Sequence, residues 1–175
     1  MVKACQEILH FFETAGAKIV EIEIPELDAL RVAHVITISS EMAASLDRFH
    51  ARHHQDYSLE TRINLELART FTSRDYIQAQ RVRTRAIANF KKVLEAVDVI
   101  ATPSTGLTAP AIPPDALPLG ESDLTTLTEI MRFAVAGNST GLPAISFPAG
   151  YDTNGLPVGF QAIGRPWCEH TLLRL

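Results

Sequence analysis

The chain has 175 residues, of which 46% are hydrophobic and 21% charged, and its formal net charge is −4. This length suits one domain, and no apolar run reaches the ~18 residues that a membrane-spanning helix needs. The acidic balance argues against a nucleic-acid partner. Two cysteines are too few for a disulfide framework, and no secretory signal opens the chain. We therefore expect an intracellular protein, either cytoplasmic or peripheral to an internal membrane.

The first half of the chain is predicted to be mostly helical. Apolar residues recur at helical spacing over residues 2–14, and Gly16 ends that helix. The alternation in KIVEIEI, residues 18–24, predicts a strand with one more buried face. Three further helices are predicted over residues 28–52, 58–71 and 72–96.

The second half combines strands with helices, which indicates an α/β fold. Residues 97–103 form a short apolar strand, and a proline-rich loop follows up to about residue 122. A capped helix is predicted from there to about Gly137. Two extended runs flank Asn154-Gly155, a strong hairpin turn signal, so residues 143–164 are predicted to form a hairpin.

Three histidines, His50, His53 and His54, lie on one face of a predicted helix end. Two such histidines and a carboxylate could bind zinc. However, the HExxH pattern is absent, and only Asp47 or Asp56 lies nearby in the sequence. We therefore favour a solvated helix end here, and expect no metal ligand and no cofactor.

Residues 69–92 form a basic segment with five arginines and two lysines against one acid, Asp75. Such a face can bind phosphate, anionic lipid or an acidic partner surface. A solvated helix face is the simpler interpretation, and docking through this helix is the alternative.

The usual nucleophile and phosphate motifs, GxSxG, the Walker loop and GxGxxG, are absent. Ser39-Ser40 lies within an apolar helical pattern and has no glycine beside it. The loop ATPSTGLTAPAIPP, residues 101–114, is more informative, because hydroxyl side chains follow a strand end, where ligands of α/β sheets gather. A structural connection stiffened by proline is the competing interpretation.

Several uncommon glycine and proline positions occur in the order found in the amidase signature hydrolases, and the chain resembles the carboxy-terminal part of that family over nearly its whole length. Four motifs carry the resemblance: Tyr-x-x-Ala-x-x-x-Arg at 76–83, Asp-Val-Ile-x-Thr-Pro at 98–103, Asn-x-x-Gly-x-Pro-Ala-x-Ser at 138–146, and Gly-Leu-Pro-x-Gly-x-Gln at 155–161. Within the family, the loop after residue 101, the MRF sequence and the GRPW sequence look most like plant-type fatty acid amide hydrolases.

The resemblance implies that residues 1–175 are the carboxy-terminal segment of an amidase domain. Its fold would be α/β, part of a mixed sheet flanked by helices, without the amino-terminal catalytic half. Family members use a lysine, a serine held in a cis peptide and a nucleophilic serine from a glycine-serine-rich run. This sequence contains no such run, so no residue is assigned as catalytic.

The implied reaction is hydrolysis of an amide C–N bond, in N-acylethanolamines or fatty acid amides. This chain would supply scaffold and the wall of an acyl pocket, and would be inactive alone. The expected pocket residues lie on the long helix and in the loop after the strand: Met42, Phe49, Ser104, Thr105 and Leu107.

The expected partner is an acyl amide substrate, bound once the upstream half is present. Contact with a membrane surface and a homodimer stay open. Two alternatives to the interpretation as an enzyme segment stay open. One is a noncatalytic binding or regulatory piece that docks through its basic helix, and the other is a truncated product that folds poorly.

Overall fold

A computed structural model of the chain describes residues 1–115, 118 and 123–175. Its elements, in chain order, are α1 Val2–Thr14, α2 Leu27–His53, α3 Leu59–Thr70, α4 Ser73–Ala96, β1 Val99–Pro103, α5 Leu124–Ile130, α6 Ala134–Thr140, β2 Ala144–Tyr151, β3 Pro157–Gly164 and α7 Glu169–Leu172. One turn of 3₁₀ helix, His54–Asp56, follows α2. Within these ranges, every helix is too short or too polar to cross a bilayer.

The first four predicted helices are confirmed, and α4 shows why their starts are well defined. The Thr72 hydroxyl accepts a hydrogen bond from the Asp75 backbone N–H, and the Asp75 carboxylate accepts one from the Thr72 N–H at 2.8 Å. This reciprocal capping satisfies two of the N–H groups that a helix start leaves without partners. The sequence around Thr72 therefore fixes the first turn of α4 locally.

The three strands form an antiparallel sheet in the order β1-β3-β2. The predicted hairpin is confirmed as β2 and β3. The Asp152 carboxylate closes its turn by accepting hydrogen bonds from the Asn154 and Leu156 N–H groups at 2.8 and 2.9 Å. A register shift between Pro148 and Gly150 places a bulge in β2, where proline does not interrupt the ladder.

Helices cover both faces of this sheet. On one face, α2, α4 and α6 bury a cluster that includes Leu30, Phe90 and Ile163. On the other face, α1 packs its Ala4 and Cys5 against β2 and β3. Alternate residues of β3 point to opposite faces, so this strand contributes to both clusters.

The strand predicted at residues 18–24 is wrong for this chain, because the segment has no regular secondary structure and most of its side chains are exposed. A period-two sequence becomes a strand only where a neighbouring strand supplies hydrogen-bond partners. Among the described residues, the three strands pair only with one another. Ile24 alone of this segment packs against the larger core cluster.

The single helix predicted from about residue 122 to Gly137 is instead two helices, and residue 122 lies outside the described residues. Asp123 caps α5 by accepting hydrogen bonds from the Thr125 and Thr126 N–H groups, both at 3.0 Å. A turn over residues 131–133 separates α5 from α6. Helix α6 continues past Gly137 because Gly141, with φ +72°, provides the left-handed cap.

Candidate functional site

An apolar cleft of about 370 Å³ lies between α2, α3 and α5. Its apolar lining consists of Val32, Val35, Ile38, Leu67, Leu124, Leu127, Met131 and Val135. Polar side chains, including those of Asp28, Arg31, Asn64 and Thr128, also line it. A concave, mainly apolar surface with a few polar groups is the usual form of a site for a largely apolar ligand.

Helical spacing in the sequence produces the two main walls of the cleft. Arg31, Val35 and Ile38 are separated by three or four residues and therefore share one face of α2. Leu124, Leu127 and Met131 repeat in the same way on and just after α5. The cleft is therefore built where the apolar faces of two amphipathic segments oppose each other.

One partly buried ion pair joins α5 to α2. The Arg31 guanidinium donates to Glu129 Oε1 at 2.8 Å, and Arg132 donates to the same carboxylate at 3.0 Å. These two guanidiniums, that of Arg132 first, hold the pKa of Glu129 below its ordinary value. The Glu129 carbonyl also accepts a hydrogen bond from the Gly106 N–H at 3.0 Å, which joins the loop after β1 to α5.

His34 is a buried polar group in the wall of this cleft, with 4% of its surface exposed. Its Nε2 has no hydrogen-bond partner in the part of the chain that the structure describes. Burial lowers the pKa of His34, so the imidazole is neutral at neutral pH.

The sequence alone did not single out His34. It stands in AHVITISS among apolar residues, where a helical period predicts only a buried face. The sequence offers one indication, a histidine on an apolar helix face. Such a histidine is most often a buried core residue whose hydrogen bonds are satisfied. Only the packing of α2 shows that its Nε2 is left without a partner.

A second cavity of about 150 Å³ shares His34 and Ile38 with the cleft and brings the motif residues Arg83 and Asn138 together. Arg83 Nε donates to the Ser139 carbonyl at 2.7 Å, which ties α4 to α6. On the same helix, the Tyr76 hydroxyl donates to the Glu41 carboxylate at 3.0 Å, and this bond raises the pKa of Tyr76. These motif side chains therefore connect helices.

The hydroxyl groups of the loop after β1 are engaged in hydrogen bonds within the chain. Ser104 Oγ lies 2.5 Å from Ser146 Oγ on β2. Thr105 donates to the carbonyl two residues further on at 2.8 Å, and Thr108 donates to Asp152 at 2.8 Å. These contacts agree with a stiff structural connection.

Buried Gln161 anchors the start of this loop from β3. Its Nε2 donates to Thr102 Oγ1 at 3.1 Å and to the Phe133 carbonyl at 3.2 Å. The last glutamine of the Gly-Leu-Pro-x-Gly-x-Gln motif therefore joins the sheet to the turn between α5 and α6.

The five residues predicted to line an acyl pocket fall into two groups. Met42 and Phe49 lie on α2, where Phe49 is 56% exposed. Ser104, Thr105 and Leu107 lie in the loop after β1 and are partly buried. Neither of the two cavities described above is lined by any of these five residues. Their part in substrate binding stays a prediction.

Two of the α4 cations in the predicted basic segment are engaged in contacts within the chain. Arg83 bonds to α6 as described, and Arg85 pairs with Glu26 through an Nε–Oε2 distance of 2.9 Å, which lowers the pKa of Glu26. Arg81, Lys91 and Lys92 on α4 are exposed. Docking through this helix stays a prediction.

Comparison with known proteins identifies the family to which this fold belongs. A model of the Amidase family matches residues 1–173. The chain is 46% identical over 173 residues to the fatty acid amide hydrolase of Medicago truncatula, covering 98% of this chain and 28% of that protein. The fatty acid amide hydrolase of Arabidopsis thaliana shows the same identity and coverage.

Structural comparison gives the same fold. The chain matches the crystal structure of an amidase with a TM-score of 0.77 and 23% identity, over 93% of this chain and 37% of that one. The chain belongs to the Amidase family. The predicted family and α/β fold class are thereby confirmed, and the chain spans 28% of the length of the two plant relatives.

Proposed function

We propose that this chain is the carboxy-terminal portion of an amide hydrolase, and that its apolar cleft binds part of the acyl chain of an N-acyl amide. The observation that supports this most directly is the 370 Å³ cleft with its largely aliphatic lining. It occurs in a chain that is 46% identical to two plant fatty acid amide hydrolases. An aliphatic chain is the ligand that such a lining favours.

Burial of methylene groups would dominate binding in this cleft. Each CH₂ removed from water contributes about 0.8 kcal/mol, so a few methylenes outweigh a single neutral hydrogen bond of about 1 kcal/mol. His34 is one of the polar residues that line the wall. The cleft is therefore suited to a long apolar chain that carries an occasional polar group.

The chemical step would come from residues outside this sequence. Amide hydrolysis by a serine enzyme needs a nucleophile with its base, and donors that hold the developing oxyanion. The glycine-serine-rich run that provides these groups in the family is absent from the 175 residues. We therefore expect the isolated chain to be inert toward acyl amides.

A hybrid enzyme tests the proposal. The matching segment of the Medicago truncatula relative is replaced by this chain, and kcat/KM is measured for N-acylethanolamines of increasing acyl length. Leu127→Asp places a charge in the cleft wall, whereas Phe49→Asp alters the other predicted pocket. Ile77→Asp, on an exposed position of α4, is the matched control.

We expect Leu127→Asp to lower kcat/KM for long-chain substrates at least about tenfold, because a buried unpaired carboxylate is strongly unfavourable beside methylenes. Short-chain substrates and the Ile77→Asp hybrid should change little. An equal loss for short and long substrates, in a folded hybrid, would remove the cleft as the acyl site. A selective long-chain loss in Phe49→Asp alone would move that site to the five residues predicted from the sequence.

A further inference from the structure

Three side chains from separate elements meet at the end of the α2–α3 hairpin. His50 lies in α2, His54 begins the 3₁₀ turn and Glu66 lies in α3. One ligand atom from each of them lies within 4.8 Å of the other two. The sequence places Glu66 far from the histidines, so only the hairpin brings this carboxylate to them.

The distance between His50 and Glu66 does not correspond to a direct hydrogen bond. His50 Nε2 lies 3.8 Å from Glu66 Oε1, which exceeds hydrogen-bond length. Two ligands of a tetrahedral ion with bonds of about 2.1 Å are separated by roughly 3.4 Å. A small rotation of the exposed Glu66 side chain would therefore bring both atoms to one ion.

The His50 ring is held in place before any ligand binds. Its side chain is 17% exposed, and its ring packs against His54, with centroids 4.9 Å apart, and against Tyr57, with centroids 6.4 Å apart. Its Nδ1 is buried and finds no hydrogen-bond partner among residues 1–115, 118 and 123–175. The nitrogen available to an ion is therefore Nε2, the atom that lies 3.8 Å from Glu66 Oε1.

We propose that His50, His54 and Glu66 bind a divalent transition-metal ion of the zinc class. Two neutral imidazole nitrogens and one carboxylate oxygen form a donor set that suits Zn²⁺, Co²⁺, Ni²⁺ or Cu²⁺. Calcium and magnesium take oxygen ligands, so this set disfavours them. Three protein ligands leave the fourth tetrahedral position for water.

Contacts with neighbouring charged groups indicate which residues can act as ligands of the ion. His53 Nδ1 is engaged by Asp56 at 2.9 Å and so stands apart from the ligand set. On the surface, Arg69 Nε lies 3.9 Å from Glu66 Oε1. A bound ion would replace Arg69 as the partner of the Glu66 carboxylate. Binding of the ion would link the carboxy-terminal end of α2 to α3.

The test is metal titration of the full 175-residue chain, followed by Co²⁺ absorption and by isothermal calorimetry with Zn²⁺. We expect one tight Zn²⁺ site, a Co²⁺ spectrum typical of a tetrahedral nitrogen and oxygen environment, and no competition from Ca²⁺ or Mg²⁺. His54→Ala and Glu66→Gln should each weaken Zn²⁺ binding by about tenfold or more, because even residues that only support a ligand contribute that much. His53→Ala is the matched control and should bind as the unchanged chain does.

The Co²⁺ spectrum of the unchanged chain needs no variant, so the test does not depend on how a variant folds. Absence of a Zn²⁺ site in the unchanged chain overturns the proposal. It also fails if His54→Ala retains full affinity, or if His53→Ala weakens binding as much as His54→Ala. All these readouts are binding measurements and are independent of the proposed amide hydrolysis.

Discussion

Ser104 and Ser146 face each other across Gly159, with their hydroxyl oxygens 2.5 Å apart. The Ser104 N–H also donates to the Gly159 carbonyl at 2.9 Å, so the loop after β1 lies directly on the backbone of β3. This close approach is available because Gly159 carries no side chain. The Gly-Leu-Pro-x-Gly-x-Gln motif therefore needs its second glycine for space rather than for an unusual backbone angle.

Gly159→Ala should destabilise the chain by roughly 1–3 kcal/mol, the usual cost of overpacking. A methyl group at this position would lie 2.8 Å from Ser104 Oγ and 2.9 Å from Ser104 Cβ. Gly137→Ala, on α6, is the control, because its methyl group would meet only the Leu142 carbonyl oxygen at 3.8 Å and Ala144 Cβ at 3.9 Å. In that helix the change should be neutral or stabilise by about 0.5–1 kcal/mol. Urea unfolding of both variants measures the difference, and equal stabilities would contradict the packing described for Ser104.

Phe90→Ala should lower the free energy of unfolding by about 3–5 kcal/mol, because it leaves a cavity in the larger core cluster. Phe90 is 2% exposed and packs between α4 and the sheet. Phe49→Ala removes the same atoms from an exposed position of α2, and its effect should stay within about 0.5 kcal/mol. Chemical denaturation followed by circular dichroism compares them. A large loss in Phe49→Ala would show that this ring is buried in the folded chain.

The sequence predicted the first four helices well because their signals are local. The apolar stripe and the capping pair Thr72 and Asp75 both lie within α4 itself, and Asn154-Gly155 lies within the hairpin that it turns. The strand expected at residues 18–24 failed because pairing depends on a distant segment, and no described strand lies beside it. Local alternation contains no information about that neighbour.

Both candidate ligand sites depend on contacts that sequence spacing does not reveal. The cleft needs α5 to face α2, which the Arg31–Glu129 pair secures across 98 residues. The sequence shows the histidines at the end of α2, but the only carboxylates near them in sequence are those of Asp47 and Asp56. Glu66 comes from the next helix, and only the return of the chain through the 3₁₀ turn places it beside His50.

Arg83→Lys should destabilise the chain by about 1 kcal/mol, the typical net value of one hydrogen bond. Lysine keeps the charge but lacks the planar group through which Arg83 Nε donates to the Ser139 carbonyl. Arg81→Lys on the same helix is the matched control, since Arg81 is exposed and its replacement should change little. The two thermal unfolding midpoints report the result. If Arg81→Lys lost as much as Arg83→Lys, the helix connection assigned to Arg83 would be wrong.

The stability of the chain should fall as the pH decreases below about 6.5, and His34 should cause part of that fall. Burial lowers the pKa of His34 below its ordinary value of 6.5, so the unfolded chain takes up a proton at a pH where the folded chain does not. Protons therefore favour unfolding from pH 6.5 down to the lowered folded pKa. The carboxylates of Glu129 and Asp123 also have lowered pKa values, and because their ordinary values are 4.5 and 3.8, these groups stay largely ionised in both states between pH 7.5 and 5.5. Urea unfolding at pH 7.5 and 5.5 should show a smaller loss for His34→Leu than for the unchanged chain or for His10→Gln, which alters an exposed histidine. An identical loss of unfolding free energy in all three proteins would contradict the assignment of His34 as a neutral group without a hydrogen-bond partner.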